Sequence, residues 1–494
     1  MATRTAIIDL GSNSVRMAIF EKSSRYGFSI LNEHKIKLRL CDNFDGIISD
    51  AAMDTAIEAL RYFKEQGLHQ GVRKFYAIGT SALRDASNKA LFKSRAAKEV
   101  GINVKVISGE QEAALGALAA YNLILESPQE TDALCVDIGG GSCELVRIKD
   151  SKITALASLN LGTVRLKAMS EKAAAAAIKS EFAKISPDFK AECIYAIGGS
   201  LRAIAAALID KNSYPLHQVH NFSYELGRER SYLEKLQSAK NLADFGIKKD
   251  RHDTIKHALN IFLHLIDLVK AKRVISSGVG IREGVFLSDV LGFYLRGEIR
   301  LSSLPQGTNP SLRSLQDKFL PSKNSANADA ANAVKLFNAL LPLHKLECST
   351  NSLRTAAKLW HIGERLSYYR CNEHSAYMAL SGLLYGISHE DKALVSTLIY
   401  LKGRKFNYYD LPLKKLLPGE LSLAWLGFIL SVCMALNEDF SNESYEFSLN
   451  ERKLLISRKK GFSARSKLEL SLRPLLESNL NRLYCPRELE IELL

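Results

Sequence analysis

Two short loops in the chain combine a carboxylate with a run of small residues. Asp9 is followed by Leu-Gly-Ser-Asn-Ser, and Asp137 is followed by Ile-Gly-Gly-Gly-Ser. Small residues allow the backbone to approach an anion closely and to aim its N–H groups at it, so both loops are suited to hold phosphate. The predicted phosphate donors are Gly11, Ser12, Asn13 and Ser14 in the first loop and Gly139, Gly140, Gly141 and Ser142 in the second.

The two aspartates predict a cation site between the loops. We expect Asp9 and Asp137 to face each other across a cleft and to hold Mg²⁺ directly or through water, because this ion prefers a few carboxylates together with water and phosphate oxygens. Glu144, two residues beyond Ser142, is a further carboxylate on the metal side, although a strand residue there could equally face solvent. One glycine-rich hairpin is usually just a tight turn, whereas two copies in matching contexts favour a phosphate site.

An alternation of strands and helices over the first 300 residues must position these loops. The segments TAIIDLG, RMAIFEK, FSILNEHKIKLRL and KFYAIGT have the composition of strands, and residues 50–68 have the pattern of an amphipathic helix. A helix over 110–125 begins with acidic residues, which suit a helix N-terminus, so Glu112 is predicted in its first turn. A second alternation of strands and helices begins at Ala133, and the segment YAIGTS at 76–81 recurs as YAIGGS at 195–200. These internal repeats predict two diverged copies of one α/β unit.

The amino-acid composition changes after residue 300. Residues 301–327 are rich in Ser, Pro, Asn and Gly and predict a linker. Helical periodicity then dominates, with a small α+β ending over the last 60 residues. The predicted helices are 328–347, 350–368, 373–385, 389–401 and 420–437, and the predicted domains are 1–125, 126–305 and 310–494.

Composition and charge narrow the classes of protein. With 494 residues, 47% hydrophobic and 24% charged, the chain is long enough for several domains and unlike disordered or collagen-like sequences. The net charge of +14 favours an anionic partner and leaves nucleic acid, anionic lipid and polyphosphate open. Eight scattered cysteines without a CxxC pair, and an N-terminus without a signal-peptide core, predict a cytoplasmic location. The apolar stretch 421–436 is shorter than the roughly 18 to 20 residues of a membrane span and predicts a buried helix.

Seven motifs in order resemble the exopolyphosphatase and guanosine pentaphosphate phosphohydrolase (Ppx/GppA) family over about residues 1–300. They are DLGSNS, GTSALRDA, SGEQEA, DIGGGSCELV, NLGTVRL, AIGGS and SSGVGIREG. The resemblance implies an α/β fold with two ribonuclease-H-like domains of the actin, Hsp70 and acetate-kinase superfold. It also implies an active site between them and a mostly α-helical, HD-like C-terminal domain.

The resemblance implies roles for further residues. Glu112 matches the position that activates water for attack on the terminal phosphorus, and the alternative role of Glu112 is to complement the helix dipole. Arg84 and Arg165 match positions that face the phosphate chain, with surface salt bridges as the alternative. Gly198 and Gly199 of AIGGS join the predicted phosphate-binding residues.

The C-terminal region departs from the family pattern. An HD-type metal site needs a His followed directly by an Asp, whereas His361 is followed by Ile362. His374 and His389 are more typical of surface or core histidines, so no second catalytic site is predicted. Two basic clusters, Lys402 with Arg404 and Lys405, and Arg458 with Lys459 and Lys460, are expected to help hold a long anion.

These observations predict a magnesium-dependent hydrolase of terminal phosphoanhydrides. Inorganic polyphosphate is the first expected substrate, the 5′-phosphate of guanosine pentaphosphate is the alternative, and one enzyme could act on both. A kinase of the same superfold and a non-catalytic protein that binds guanosine penta- or tetraphosphate are less favoured. The expected partners include no membrane and no specific nucleic acid, and a homodimer is left open.

Overall fold

The computed structural model describes residues 2–38, 40, 46–124, 131–294, 301–437, 440, 442–458, 484–487 and 489–493. The chain divides into two units, Met1–Pro310 and Ser311–Leu494. The predicted division of the first unit between residues 125 and 126 stays a prediction.

The first sheet is built from the N-terminal hairpins. Its strands are β1 (Thr3–Leu10), β2 (Ser14–Lys22), β3 (Phe28–Lys37), β4 (Lys74–Gly79) and β5 (Val104–Val106), in the order β3-β2-β1-β4-β5. β1, β2 and β3 pair antiparallel, while β4 and β5 add in parallel. The helical segments that follow are α1 (Asp50–His69), α2 (Ser81–Asp85), α3 (Lys89–Arg95) and a π-helical turn at Ala96–Val100. Ala6, Ile8 and Leu10 of β1 are buried in the same core as the apolar face of α1, and this strand forms the centre of the sheet.

The second sheet repeats this arrangement. Its strands are β6 (Ala133–Ile138), β7 (Cys143–Lys149), β8 (Lys152–Leu159), β9 (Cys193–Ile197), β10 (Ser223–Glu225) and β11 (Arg273–Ser276), in the order β10-β11-β9-β6-β7-β8. An antiparallel β6–β7–β8 meander is again extended by parallel strands, here β9 and β11. The helices of this half are α5 (Thr163–Lys167), α6 (Glu171–Phe182), α7 (Gly199–Lys211), α8 (Leu226–Ser238) and α9 (Ile255–Val269). The predicted pair of ribonuclease-H-like units is therefore confirmed.

Two helices join the half of the first unit that contains the first sheet to the half that contains the second sheet. α4 (Gly109–Leu123) begins with a reciprocal capping box in which Ser108 and Gln111 satisfy each other's backbone N–H groups. Its apolar residues pack on the second sheet, although the chain has just left the first. α10 (Ile281–Val290) packs so closely on α4 that a Cβ at Gly284 would lie 2.0 Å from the Leu115 carbonyl oxygen. Glu112 lies in the first turn of α4, as predicted.

The second unit is mainly helical. Its helices are α11 (Pro310–Phe319), α12 (Lys323–Ala339), α13 (Leu341–His344), α14 (Asn351–Leu359), α15 (Cys371–Gly382), α16 (His389–Leu401) and α17 (Glu420–Leu436). The predicted linker over 301–327 is wrong in its second half, because α11 begins on a proline, which suits a first helical position, and Ser322 caps α12. The helix predicted over 350–368 ends at Leu359 and is followed by a 3₁₀ turn at Ile362–Arg365.

The end of the second unit is a small sheet in which β12 (Tyr445–Asn450) pairs with β13 (Lys453–Arg458) and β13 with β14 (Glu490–Leu493). α17 is buried along nearly its whole length, as the apolar stretch 421–436 predicted. Among the described residues, no helix combines the length and apolarity needed to cross a bilayer. Lys402, Arg404 and Lys405 follow α16, whereas Lys459 and Lys460 fall outside the described residues.

Candidate active site

The two glycine-rich loops have the same local geometry. In the first, the Gly11 N–H donates to the Ser14 carbonyl oxygen at 3.2 Å, and in the second the Gly139 N–H donates to the Ser142 carbonyl oxygen at 2.9 Å. Each turn joins an inner strand to its antiparallel neighbour, so the carboxylate that ends the strand has a partner directly opposite. Arg16 lies opposite Asp9, and Glu144 lies opposite Asp137.

The loops meet in one cleft that encloses about 920 Å³ of space open to solvent. Most of the predicted site residues line it. They are Asp9, Gly11, Ser12, Asn13, Ser14, Glu112, Asp137, Gly139, Gly140, Gly141, Ser142, Glu144, Gly198 and Gly199. The tight contact of the loops explains the small residues, since a Cβ at Gly141 would lie 2.3 Å from the Ser81 Oγ and 2.9 Å from the Ser12 Oγ.

Asp9 and Asp137 are partly buried in this cleft. Burial raises the pKa of Asp9 and raises that of Asp137 to about 6, although Arg16 and Arg202 act in the opposite direction. Asp9 Oδ1 is buried and has no hydrogen-bond partner in the described part of the chain. A buried acceptor without a partner costs free energy, so this atom faces a place suited to a cation.

The residues present fit a hard divalent ion. No group of three or more His, Cys, Asp or Glu side chains suited to a metal occurs among the described residues. Mg²⁺ does not need such a cage, because it is commonly bound by one or two carboxylates, water and substrate phosphates. Asp9 and Asp137 can supply this minimal set. Glu144 accepts a hydrogen bond from the Ser158 Oγ at 3.1 Å, and its place beside the metal stays a prediction.

Glu112 lies at the N-terminal end of α4, where the helix meets the second sheet. Its Oε2 lies 3.0 Å from the Arg84 Nη1, which fixes the direction of the carboxylate. Burial and the neighbouring Glu144 raise the pKa of Glu112 well above its usual range, and Arg84 opposes this rise. A carboxyl group with a raised pKa is suited to accept a proton from water near neutral pH.

Among the described residues, those that line the cleft do not include Arg84 or Arg165. Arg84 binds Glu112 and approaches the Ile107 carbonyl oxygen at 3.4 Å. Arg165 donates to the Gly141 carbonyl oxygen at 3.0 Å and to the Asp85 Oδ2 at 3.1 Å. Their role in binding phosphate therefore stays a prediction, and in this structure both arginines hold other parts of the site.

A cluster of four arginines, which the motifs alone did not reveal, lines the cleft. It consists of Arg16, Arg202, Arg251 and Arg282. Burial, with repulsion from Arg202 and Arg282, lowers the pKa of Arg16 to about 10, and burial also lowers the pKa of Arg202. Lys35 lies directly opposite Arg16 on β3, an arrangement of like charges that destabilises a sheet. Such a concentration of cations is suited to an anion.

The sequence contains a signal for some of this arginine cluster. Arg16 follows Asp9 by seven residues, as Glu144 follows Asp137, so the repeat could have pointed to it. Arg282 lies within the motif SSGVGIREG, and Arg202 lies two residues after the motif AIGGS. Arg251 lies in a 3₁₀ turn far from any motif, and no local pattern indicates that its guanidinium approaches Gly199.

Comparisons with known proteins show the family of the chain. The family model described as the Ppx/GppA phosphatase family matches residues 18–293, and the model of the family's domain III matches residues 309–482. The guanosine-5′-triphosphate,3′-diphosphate pyrophosphatase of Aeromonas hydrophila is 26% identical over 451 residues, covering 87% of each chain. The corresponding protein of Pseudoalteromonas translucida is 27% identical and covers 79% of this chain and 78% of its own.

Two solved structures resemble the chain over 59% of its length and 98% of theirs. An exopolyphosphatase from Cytophaga hutchinsonii has a TM-score of 0.53 at 25% identity. The Ppx/GppA family member of Aquifex aeolicus has a TM-score of 0.50 at 27% identity. The chain therefore belongs to the Ppx/GppA phosphatase family and is a phosphoanhydride hydrolase.

Proposed function

We propose that this enzyme removes the 5′-terminal phosphate of guanosine pentaphosphate by attack of water. The observation that supports this substrate is a single cleft whose lining combines two sets of groups suited to anions. One set is the two glycine-rich loops beside Glu112, and the other is the arginine cluster, whose Arg16 Nε donates to the Ser14 Oγ of the first loop. A molecule that carries a triphosphate and a separate diphosphate places negative charge against both sets of groups, and two relatives that cover 87% and 79% of this chain bear the name guanosine-5′-triphosphate,3′-diphosphate pyrophosphatase.

Inorganic polyphosphate is the second candidate. It was the first choice from the sequence, and the Cytophaga hutchinsonii exopolyphosphatase is a structural neighbour. A polyphosphate chain would also reach from the loops to the arginine cluster. The comparisons support guanosine pentaphosphate more, because the matching pyrophosphatases extend over both units of the chain whereas the structural neighbours cover 59%.

Different residues of the cleft have different roles in the proposed reaction. The loop N–H groups and the hydroxyls of Ser12, Ser14 and Ser142 hold the terminal phosphate. Glu112, oriented by Arg84, accepts the proton of the attacking water. Asp9 and Asp137 would hold Mg²⁺, which when bound neutralises charge on the phosphate oxygens. Because the cleft is polar and its groups are fixed, stabilisation of the transferred phosphoryl group costs little reorganisation.

Phosphate release from three substrates tests the proposal. Purified protein is given guanosine pentaphosphate, polyphosphate of defined length, and GTP, each with Mg²⁺, and kcat/KM is measured. We expect the highest kcat/KM with guanosine pentaphosphate and release without any added acceptor. A higher value with polyphosphate would favour the second candidate, and release that needs an acceptor hydroxyl would indicate a kinase.

The metal requirement gives a further prediction. We expect Asp137→Asn to raise the Mg²⁺ concentration for half-maximal activity by about tenfold, because the ion loses a charged partner while the loop amides remain. Asp9→Asn should act similarly, and the double variant should show less than the sum of the two free-energy effects because both carboxylates serve one ion. Mg²⁺ titrations of the steady-state rate measure this, with the exposed Asp188→Asn as the matched control. An unchanged titration curve would remove Asp137 from the metal site.

A further inference from the structure

Arg165 connects the two halves of the catalytic cleft. Its Nε donates to the Gly141 carbonyl oxygen in the second phosphate loop, and its Nη2 donates to Asp85 at the end of α2. The loop belongs to the second sheet and α2 follows the first sheet. One guanidinium thus ties the phosphate loop of one half to a helix of the other.

α2 also contacts the same loop at its other end. A Cβ added to Gly141 would lie 2.3 Å from the Ser81 Oγ, so the first residue of α2 lies against the loop backbone. Behind the loop, a Cβ at Gly162 would lie 2.2 Å from the Gly140 carbonyl oxygen, so α5, which carries Arg165, is equally close. The loop is therefore held between α2 and α5, and the Asp85–Arg165 pair joins these two helices.

The same short helix orients the proposed general base. Arg84 is the neighbour of Asp85 in α2, and its Nη1 lies 3.0 Å from the Glu112 Oε2. A continuous path of contacts leads from the phosphate loop through Arg165, Asp85 and Arg84 to Glu112. This path joins the loop proposed to hold the terminal phosphate to the carboxylate proposed to activate water.

We propose that Asp85 is a positioning residue that keeps Glu112 and the phosphate loop in register by holding Arg165. This inference rests on the proposed function. Asp85 and Arg165 each keep 37% of their side chain exposed, and exposed ion pairs contribute little to stability. A misplacement of catalytic groups by about 1 Å can cost about 10²-fold in rate, so a weak pair can still matter for turnover.

The test is the steady-state kinetics of Asp85→Asn with guanosine pentaphosphate. We expect kcat to fall about tenfold while KM changes less than about twofold, because substrate contacts remain and only the alignment is lost. Asp85→Glu, which keeps the charge, should recover part of the loss. The matched control is Lys167→Met, which breaks the ion pair of similar exposure between α5 and Asp253 within the second half, and it should keep wild-type kinetics.

Two combined variants test the path itself. Asp85→Asn together with Arg165→Lys should be no slower than the slower single variant, since both act on one contact. In a Glu112→Gln background, Asp85→Asn should cause no further loss of kcat, because no general base remains to be aligned.

The opposite results would overturn the inference. Wild-type kcat for Asp85→Asn, a rise of KM alone, or a full further loss in the Glu112→Gln background would each show that Asp85 does not act through Glu112. Absence of phosphate release by the wild-type enzyme would instead contradict the proposed function, and the inference would fall with it.

Discussion

Glu112→Gln is expected to lower kcat by a factor on the order of 10² or more, the usual scale for a positioned general base. Glutamine has the shape of glutamate and can still accept a hydrogen bond from Arg84, so the geometry of α4 should persist. The amide cannot take a proton from water, and the loss should therefore appear in kcat, with KM nearly unchanged. Initial rates of phosphate release over a range of guanosine pentaphosphate concentrations measure both constants.

Glu110, which precedes Glu112 by two residues, provides the control for this variant. Glu110 lies in the same first turn of α4 but is exposed, so Glu110→Gln changes the charge of the helix N-terminus without touching the cleft. It should keep wild-type turnover. The thermal midpoint of Glu112→Gln should not fall, because burial of its charge beside Glu144 is unfavourable in the native protein. Wild-type turnover of Glu112→Gln would exclude it as the general base and leave only its interaction with the helix dipole.

Arg16→Gln is expected to raise the KM for guanosine pentaphosphate by roughly 10- to 100-fold. A hydrogen bond to a charged group contributes about 1.5–3 kcal/mol, which corresponds to that range. The Tm should change little, because the lost attraction to Asp9 is offset by the lost repulsion from Arg202 and Arg282. A large kinetic effect without a stability effect would identify a cluster of cations retained for binding.

The comparison of substrates makes this prediction specific. GTP lacks the 3′-diphosphate, so its KM should respond much less to Arg16→Gln if the arginine cluster holds that group. Arg230→Gln, which alters an exposed ion-pair network with Glu234 on α8 and Asp267 on α9, should leave both KM values unchanged. Equal increases for both substrates would mean that Arg16 contacts the triphosphate, and no increase for either would remove the cluster from substrate binding.

Several features of the site could be predicted because their causes lie within a few residues. The hairpins that follow Asp9 and Asp137 each close on a hydrogen bond between residues three apart. The helix that carries Glu112 begins at a capping box of four residues, so its first turn could be located from the sequence. The predicted linker failed in its second half for a related reason, since Ser and Pro favour helix starts as well as loops.

The directions of the long side chains could not be predicted in this way. Arg84 and Arg165 bind Glu112 and Asp85, which are 28 and 80 residues away in the chain, and their predicted contact with phosphate stays a prediction. Tyr76 likewise bonds Asp289, 213 residues away. An arginine has several rotatable bonds and five donors, so its direction depends on which acceptors the fold brings near it.

The sequence by itself determined the two α/β repeats, the two glycine-rich loops and the position of Glu112 at a helix start, because turns, caps and strand alternation depend on neighbouring residues. Only the tertiary structure decided that Arg16, Arg202, Arg251 and Arg282 line one cleft and that Arg165 ties its two halves together. Their proximity arises from the pairing of β1 with β2, the packing of α7 and α10, and the placement of a distant 3₁₀ turn. Contacts between residues so far apart in the chain are set by the packing of whole elements, which no local pattern encodes.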